Sequence, residues 1–177
     1  MKKITLAASV VVLGMSSAFA ADGTITINGA VSAKSCNIEA GSKNITVTLP
    51  TVSKQSLAAV GQVAGRTPFT IKLTNCSAGK VATYFEPGAT VDFNSGRLKN
   101  ATGTGSAANV QVQLLGDNNL FIPVLAAGSN GVQSNSQLVD VLAAGSANLN
   151  YYAEYYATGV STEGTVGTSV QYTLVYQ

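Results

Sequence analysis

The chain has 177 residues, with ten Lys and Arg against eight Asp and Glu, a formal charge of +2, and neither His nor Trp. So small a charge offers no basic field for nucleic acid or anionic lipid, and without His neither Ser/His/acid and Cys/His nucleophile systems nor most zinc sites can be built. Abundant Gly, with Val, Ile, Leu and Tyr in short runs among Ser, Thr, Asn and Ala, is the composition of an all-β protein.

The N-terminus reads as a secretory signal peptide over residues 1–20. Lys2 and Lys3 form a basic start, residues 4–13 a short apolar run, and Ala18, Phe19 and Ala20 a small-x-small cleavage site before Ala21. The apolar run is too short, and too soon followed by polar sequence, to span a membrane. An exported chain without membrane insertion is therefore expected from Ala21 onward. Loss of Lys2 and Lys3 leaves eight basic residues to balance the eight acidic ones. Only 10% of the chain is charged, which is low for a freely dissolved monomer and suits a protein packed against copies of itself.

Residues 21–31 open with an alternation in which Ile25, Ile27, Gly29 and Val31 share one face. A glycine in such a pattern marks a bulge or a place where another backbone comes close. Residues 44–49 alternate again and end at Pro50. The pattern lapses over residues 51–66, where 56–61 holds at most one helical turn before glycine stops it. Pro68 opens a strand over residues 69–76 with Phe69, Ile71 and Leu73 on one face. A further strand over 81–86 ends at the turn pair Pro87 and Gly88.

Residues 90–93 turn at 94–96, and Leu98 begins a short segment that fades into a flexible loop at 102–106. Residues 110–115 alternate, turn at 116–119 and resume over 120–125. A polar loop at 128–137 leads to a short strand at 138–142 and a long one at 147–158, which carries Tyr151, Tyr152, Tyr155 and Tyr156. Alternation sends Tyr151 and Tyr155 to one face and Tyr152 and Tyr156 to the other, so one pair is core and the other surface or subunit contact. After a turn at 159–163, residues 164–177 form a last strand with Val166, Thr168, Val170, Tyr172, Leu174 and Tyr176 on one face. Such a strand needs partners on both edges, and a chain ending one residue after Tyr176 supplies none beyond it.

Cys36 and Cys76 are the only cysteines. In an exported chain an even pair reads as a disulfide, which would staple the end of the first strand to the end of the 69–76 strand. A metal or catalytic thiol is the weaker alternative, because no His is available to partner it. Strands separated by turn signals, no helix beyond a turn or two, and one long-range disulfide indicate a two-sheet, immunoglobulin-like β-sandwich.

Two carboxylate pairs invite a hydrolytic reading, Glu86 with Asp92 and Glu154 with Glu163. Exposed, solubilising side chains account for them more simply. The Gly103 to Gly105 stretch lacks the Lys that phosphate loops carry. No catalytic, cofactor-binding or metal-binding residue is assigned, and no enzyme activity is expected.

Residues 22–27, 47–52, 68–73 with Cys76, 84–87, 109–115, 155–159 and the last strand together resemble subunits of the chaperone/usher family of Gram-negative fimbriae. The likeness is to the type 1-like group and in particular to F17-type major fimbrial subunits. It implies a pilin fold, an incomplete immunoglobulin-like sandwich lacking its final strand, with residues 21–28 as an N-terminal extension and 29–177 as the pilin domain. The family's C-terminal motif places a Gly fourteenth from the end and an aromatic next to last, matched here by Gly164 and Tyr176.

The resemblance further implies that a periplasmic fimbrial chaperone pairs with the groove edge formed by Gly164, Val166, Thr168, Val170, Tyr172, Leu174 and Tyr176. An outer-membrane usher then passes the subunit to the cell surface, where the donor strand of an identical subunit, presenting Ile25, Ile27, Gly29 and Val31, replaces the chaperone. The segment before Gly29 is shorter than in long-armed type 1 rods. The implied function is a structural subunit of a surface fimbrium that supports adhesion. A minor tip or adaptor subunit, or a carbohydrate-binding adhesin, is the alternative.

Overall fold

A computed structural model describes residues 22–128 and 130–177; the signal segment, residues 1–20, lies outside the described residues. The described chain falls into two units that part between Val31 and Ser32. Residues 22–31 form no strand, and their large apolar side chains stand in solvent, with Ile25 and Ile27 each 89% exposed. The alternation read from the sequence is that of a strand, but a strand exists only with a partner, and among the described residues this segment has none.

The second unit is a sandwich of two antiparallel sheets. The larger is built from β1 (Asn37–Ile38), β2 (Val63–Cys76), β4 (Val91–Asp92), β5 (Arg97–Lys99), β6 (Val110–Leu115), β7 (Phe121–Ile122) and β9 (Gly145–Ala157). Its order is β1-β2-β9-β6-β5-β4, with β7 paired to β6. The smaller holds β3 (Gly79–Phe85), β8 (Leu138–Val141) and β10 (Tyr172–Tyr176) in the order β10-β3-β8. A one-turn helix, α1 (Ala40–Lys43), and a 3₁₀ turn (Lys54–Leu57) are its only helical pieces among the described residues.

The core follows the period of the pleat. Ile71 and Leu73 of β2, Val81 and Phe85 of β3, Val112 and Leu114 of β6, and Leu149, Tyr151 and Ala153 of β9 all turn inward. Tyr151 stacks edge-on against Phe85, ring centres 5.1 Å apart, and its hydroxyl shares a 3.3 Å hydrogen bond with Ser136. Tyr155 also packs on the core, while Tyr152 and Tyr156 lie half-exposed on the other face, the division that alternation predicts. The disulfide joins Cys36, just before β1, to Cys76 at the end of β2. Closing a loop of this length stabilises a fold by about 4 kcal/mol through the entropy of the unfolded chain.

Candidate functional site: a groove flanked by two open backbone edges

β10 lies at the end of its sheet, with β3 on one side and, among the described residues, no strand on the other. The sequence predicts one continuous strand over residues 164–177, but ladder pairing covers only Tyr172–Tyr176. Upstream of it the chain keeps the same alternation, with Val166, Thr168 and Val170 half-buried and Gly167, Ser169 and Gln171 exposed. Its odd-numbered residues are tied to one side. Gly167 O accepts from Ala101 N, Ser169 O from Thr90 Oγ1 and Gln171 O from Glu86 N, at 2.8, 2.6 and 2.8 Å. The backbone groups of Val166, Thr168 and Val170 have no such partners among the described residues.

A second segment faces it. Ile45, Val47 and Leu49 are half-buried and alternate with exposed Asn44, Thr46 and Thr48, so residues 44–49 follow the strand pattern of the sequence. They are nevertheless unpaired, and no backbone hydrogen bond joins them to any described residue. In both segments the pattern of a strand is present without ladder pairing: among the described residues 44–49 has no strand partner, and 166–171 has none on the side of Val166, Thr168 and Val170.

Between them runs an open cavity of about 1240 Å³. It exceeds the usual small-molecule cleft of roughly 300–1,000 Å³, and it is lined along the whole of 44–49 and 166–171. Ile45, Val47 and Leu49 form one wall, Val166, Val170 and Tyr172 the other, and the floor is core that includes Phe69, Leu98, Val112, Leu114 and Tyr155. Burial pushes the phenol pKa values of Tyr155 and Tyr172 up. The side-chain oxygen of Thr168 is inaccessible to solvent and without a hydrogen-bond partner.

The residues predicted as the groove edge therefore fall into three groups. Val166, Thr168, Val170 and Tyr172 line the groove. Leu174 and Tyr176 pack on the core further along. Gly164 lies outside the lining and serves close approach instead: a Cβ there would stand 2.4 Å from Ala107 N, with φ at +149°. The opposite wall, 44–49, was legible as a strand but carried no mark of its role. Ile25, Ile27, Gly29 and Val31 all stand exposed in the first unit.

Of the carboxylates singled out in the sequence, Glu163 stands exposed, as expected of a solubilising residue, and the other three are engaged in hydrogen bonds. Asp92 accepts from Gln111 Nε2 at 2.9 Å, from Asn94 N at 3.1 Å and from Ser95 Oγ at 2.9 Å, bonds that hold its carboxyl below the usual range. Glu86 accepts from Thr173 Oγ1 at 2.6 Å. Glu154 corrects the expectation of a solubilising residue: it is 2% exposed, bound by Arg66 Nε at 2.8 Å and Gln113 Nε2 at 2.7 Å. Alternation gives it an outward place on β9, and the long side chains beside it cover it.

A family model described as "FimA: Type-1 fimbrial protein, A" matches residues 49–177. The major fimbrial subunit SMF-1 of Stenotrophomonas maltophilia (strain K279a) is 61% identical over 158 residues, covering 89% of this chain and 94% of that protein. The F17 fimbrial protein of Escherichia coli is 44% identical, with the full length of both chains covered. Among solved structures, a chaperone-usher pilus subunit superimposes with a TM-score of 0.61 at 24% identity, over 89% of this chain and 96% of that one. The P pilus rod subunit PapA does so with 0.59 at 22%, over 80% and 99%. At that identity the superpositions speak for the fold alone, an immunoglobulin-like pilin sandwich. No helix among the described residues is long and apolar enough to cross a membrane. The alternating strands, the open groove and the two lines of sequence similarity lead to one conclusion, that the chain belongs to the type-1 fimbrial protein family, a family of structural subunits of surface fimbriae.

Proposed function

We propose that the groove is the acceptor for a strand donated by another molecule, and that the chain polymerises head-to-tail by this exchange. A periplasmic fimbrial chaperone fills the groove first, and delivery through an outer-membrane usher lets the N-terminal segment of an identical or related subunit replace it. The observation that carries the reading is the pair of unpaired segments, 44–49 and 166–171, with apolar side chains turned into one cavity. One inserted strand pairs with both edges at once. Ile25, Ile27 and Val31 are exposed apolar side chains at every second or fourth position of a segment of the right kind. Burying them contributes roughly 6–9 kcal/mol, at about 2–3 kcal/mol each.

Donor and acceptor are different surfaces of one chain, so the contact does not close on itself and propagates as a filament. The role is structural and not enzymatic: Glu154 and Asp92 are committed to hydrogen bonds that hold the sheet together. Deleting residues 21–28 tests the reading. The truncated subunit is expected to bind the chaperone normally and to yield no polymer in which it is the donor. Normal polymers from the truncated chain would refute it.

A further inference from the structure

Within four residues of Val31 the chain is tied into the folded unit, Lys34 Nζ donating to Gln177 O at 2.6 Å and Ser35 N to Ser77 Oγ at 3.2 Å. A segment seated in a neighbour's groove up to Val31 therefore presses the unit that follows it against one end of that neighbour. Strand direction decides which end. β10, β3 and β8 are all antiparallel, and a strand that continues this sheet antiparallel brings Val31 beside Val166 and Ile25 beside Tyr172. The spans agree, with seven residues from Ile25 to Val31 and seven from Val166 to Tyr172.

The Val166 end is apolar on its outside. Val166 and Tyr155 pack there on Leu57, Ala107, Val110 and Ala157. Gly61 N bonds Ala157 O and Ala157 N bonds Gln62 O, both at 2.9 Å, while Ser161 N bonds Leu57 O at 3.1 Å. These bonds fix two turns over that cluster and hold Val60 and Val160 in solvent, each 69% exposed, beside Val63 at 43%. At the other end the groove is closed by the Tyr172 hydroxyl on Ser42 O, next to exposed Lys43. Two exposed valines on fixed turns and a third at the start of β2 are apolar surface that a monomer has no use for.

We infer that Val60, Val63 and Val160 form a second contact between successive copies of the chain, covered by the folded unit of the donor. The inference rests on the groove being the acceptor. Its test uses full-length subunits assembled into fimbriae and carrying one of three cysteine pairs. Ile27→Cys with Val170→Cys reports groove occupancy. Ser32→Cys with Val160→Cys reports the valine pole, and Ser32→Cys with Lys43→Cys the opposite end.

The first two pairs are expected to give covalent ladders on non-reducing gels, and the third none. A ladder from the third pair with none from the second overturns the pole and leaves the groove reading standing. Fimbriae that form while the Ile27 pair stays unlinked overturn the groove reading, and the pole with it. A second variant, Val60→Asp with Val160→Asp, is expected to bind a synthetic peptide of residues 22–31 like the parent. Its polymers should dissociate at least about tenfold faster, a difference of about 1.4 kcal/mol. Equal dissociation of variant and parent polymers overturns the contact.

Discussion

The hydroxyl of Tyr172 donates to the carbonyl oxygen of Ser42 at 2.6 Å, joining positions 130 residues apart in sequence. Four residues along the same face of β10, the hydroxyl of Tyr176 accepts from Cys36 N at 3.0 Å. Both tyrosines thus reach from the last strand to the segment that carries the disulfide and α1, and together they fix where the groove ends. Tyr172→Phe keeps the ring and removes the bond. It is expected to cost about 1 kcal/mol and to lower the melting temperature by about 2–4 °C, measured by thermal unfolding of chaperone-free subunit.

The buried phenols make stability depend on alkaline pH. Burial raises the pKa of Tyr151, Tyr155 and Tyr172 above the ordinary value of 10.0. Below pH 10 both folded and unfolded chains hold these protons, so their contribution is constant. Above it the unfolded chain loses them first, and stability falls as pH rises. Urea unfolding across pH 8–12 is expected to show a plateau followed by a decline, and Tyr155→Phe a shallower decline. A midpoint independent of pH over that range contradicts the assignment.

On the outer face of the larger sheet a polar chain crosses four neighbouring strands. Arg66 of β2 binds Glu154 of β9, Glu154 binds Gln113 of β6, and Gln113 Oε1 accepts from Arg97 Nε of β5 at 2.9 Å. Arg97 lies over the rings of Phe121 and Tyr156, 4.5 and 3.5 Å from their centroids. Glu154→Ala leaves the buried amide of Gln113 without its acceptor, so a loss of about 2 kcal/mol is expected in denaturant unfolding. The Arg66 side chain is 41% exposed and recovers water, which holds its share down. Glu154→Gln, which retains an acceptor, is expected to cost less than the Ala variant.

A charge placed in the groove separates binding from folding. Val47→Asp and Val170→Asp put carboxylates on the two facing walls. The empty groove leaves them hydrated, whereas an inserted apolar strand takes that water away at a cost of about 2 kcal/mol or more. Each variant is expected to bind a labelled peptide of residues 22–31 at least about 30-fold more weakly in fluorescence anisotropy, with its melting temperature within a few degrees of the parent. Unchanged peptide affinity for both variants counts against the groove as acceptor.

Much of this arrangement is legible in the residues. Alternation locates the long strands, and the division of the four tyrosines of β9 follows from parity alone. Parity reports the face on which a side chain emerges and says nothing of what covers it, so Glu154 reads as exposed when Arg66 and Gln113 bury it. Hydrogen-bond partners are equally silent in sequence. Residues 22–31, 44–49 and 166–171 all carry a strand's pattern, yet ladder pairing is absent from each, because pairing needs a neighbouring strand and the described residues leave an edge of each without one. The mismatch between pattern and pairing is itself what identifies the groove.

Those two unpaired edges also have a mechanical meaning. On the proposed reading, a donated segment lies lengthwise between 44–49 and 166–171 and is held along both of its sides. Tension on a chain of such subunits then pulls each segment along its own length, so its backbone bonds are strained in shear and together, where peeling would break them one at a time. Resistance to load would thus come from the geometry of the slot, with no covalent bond between neighbours.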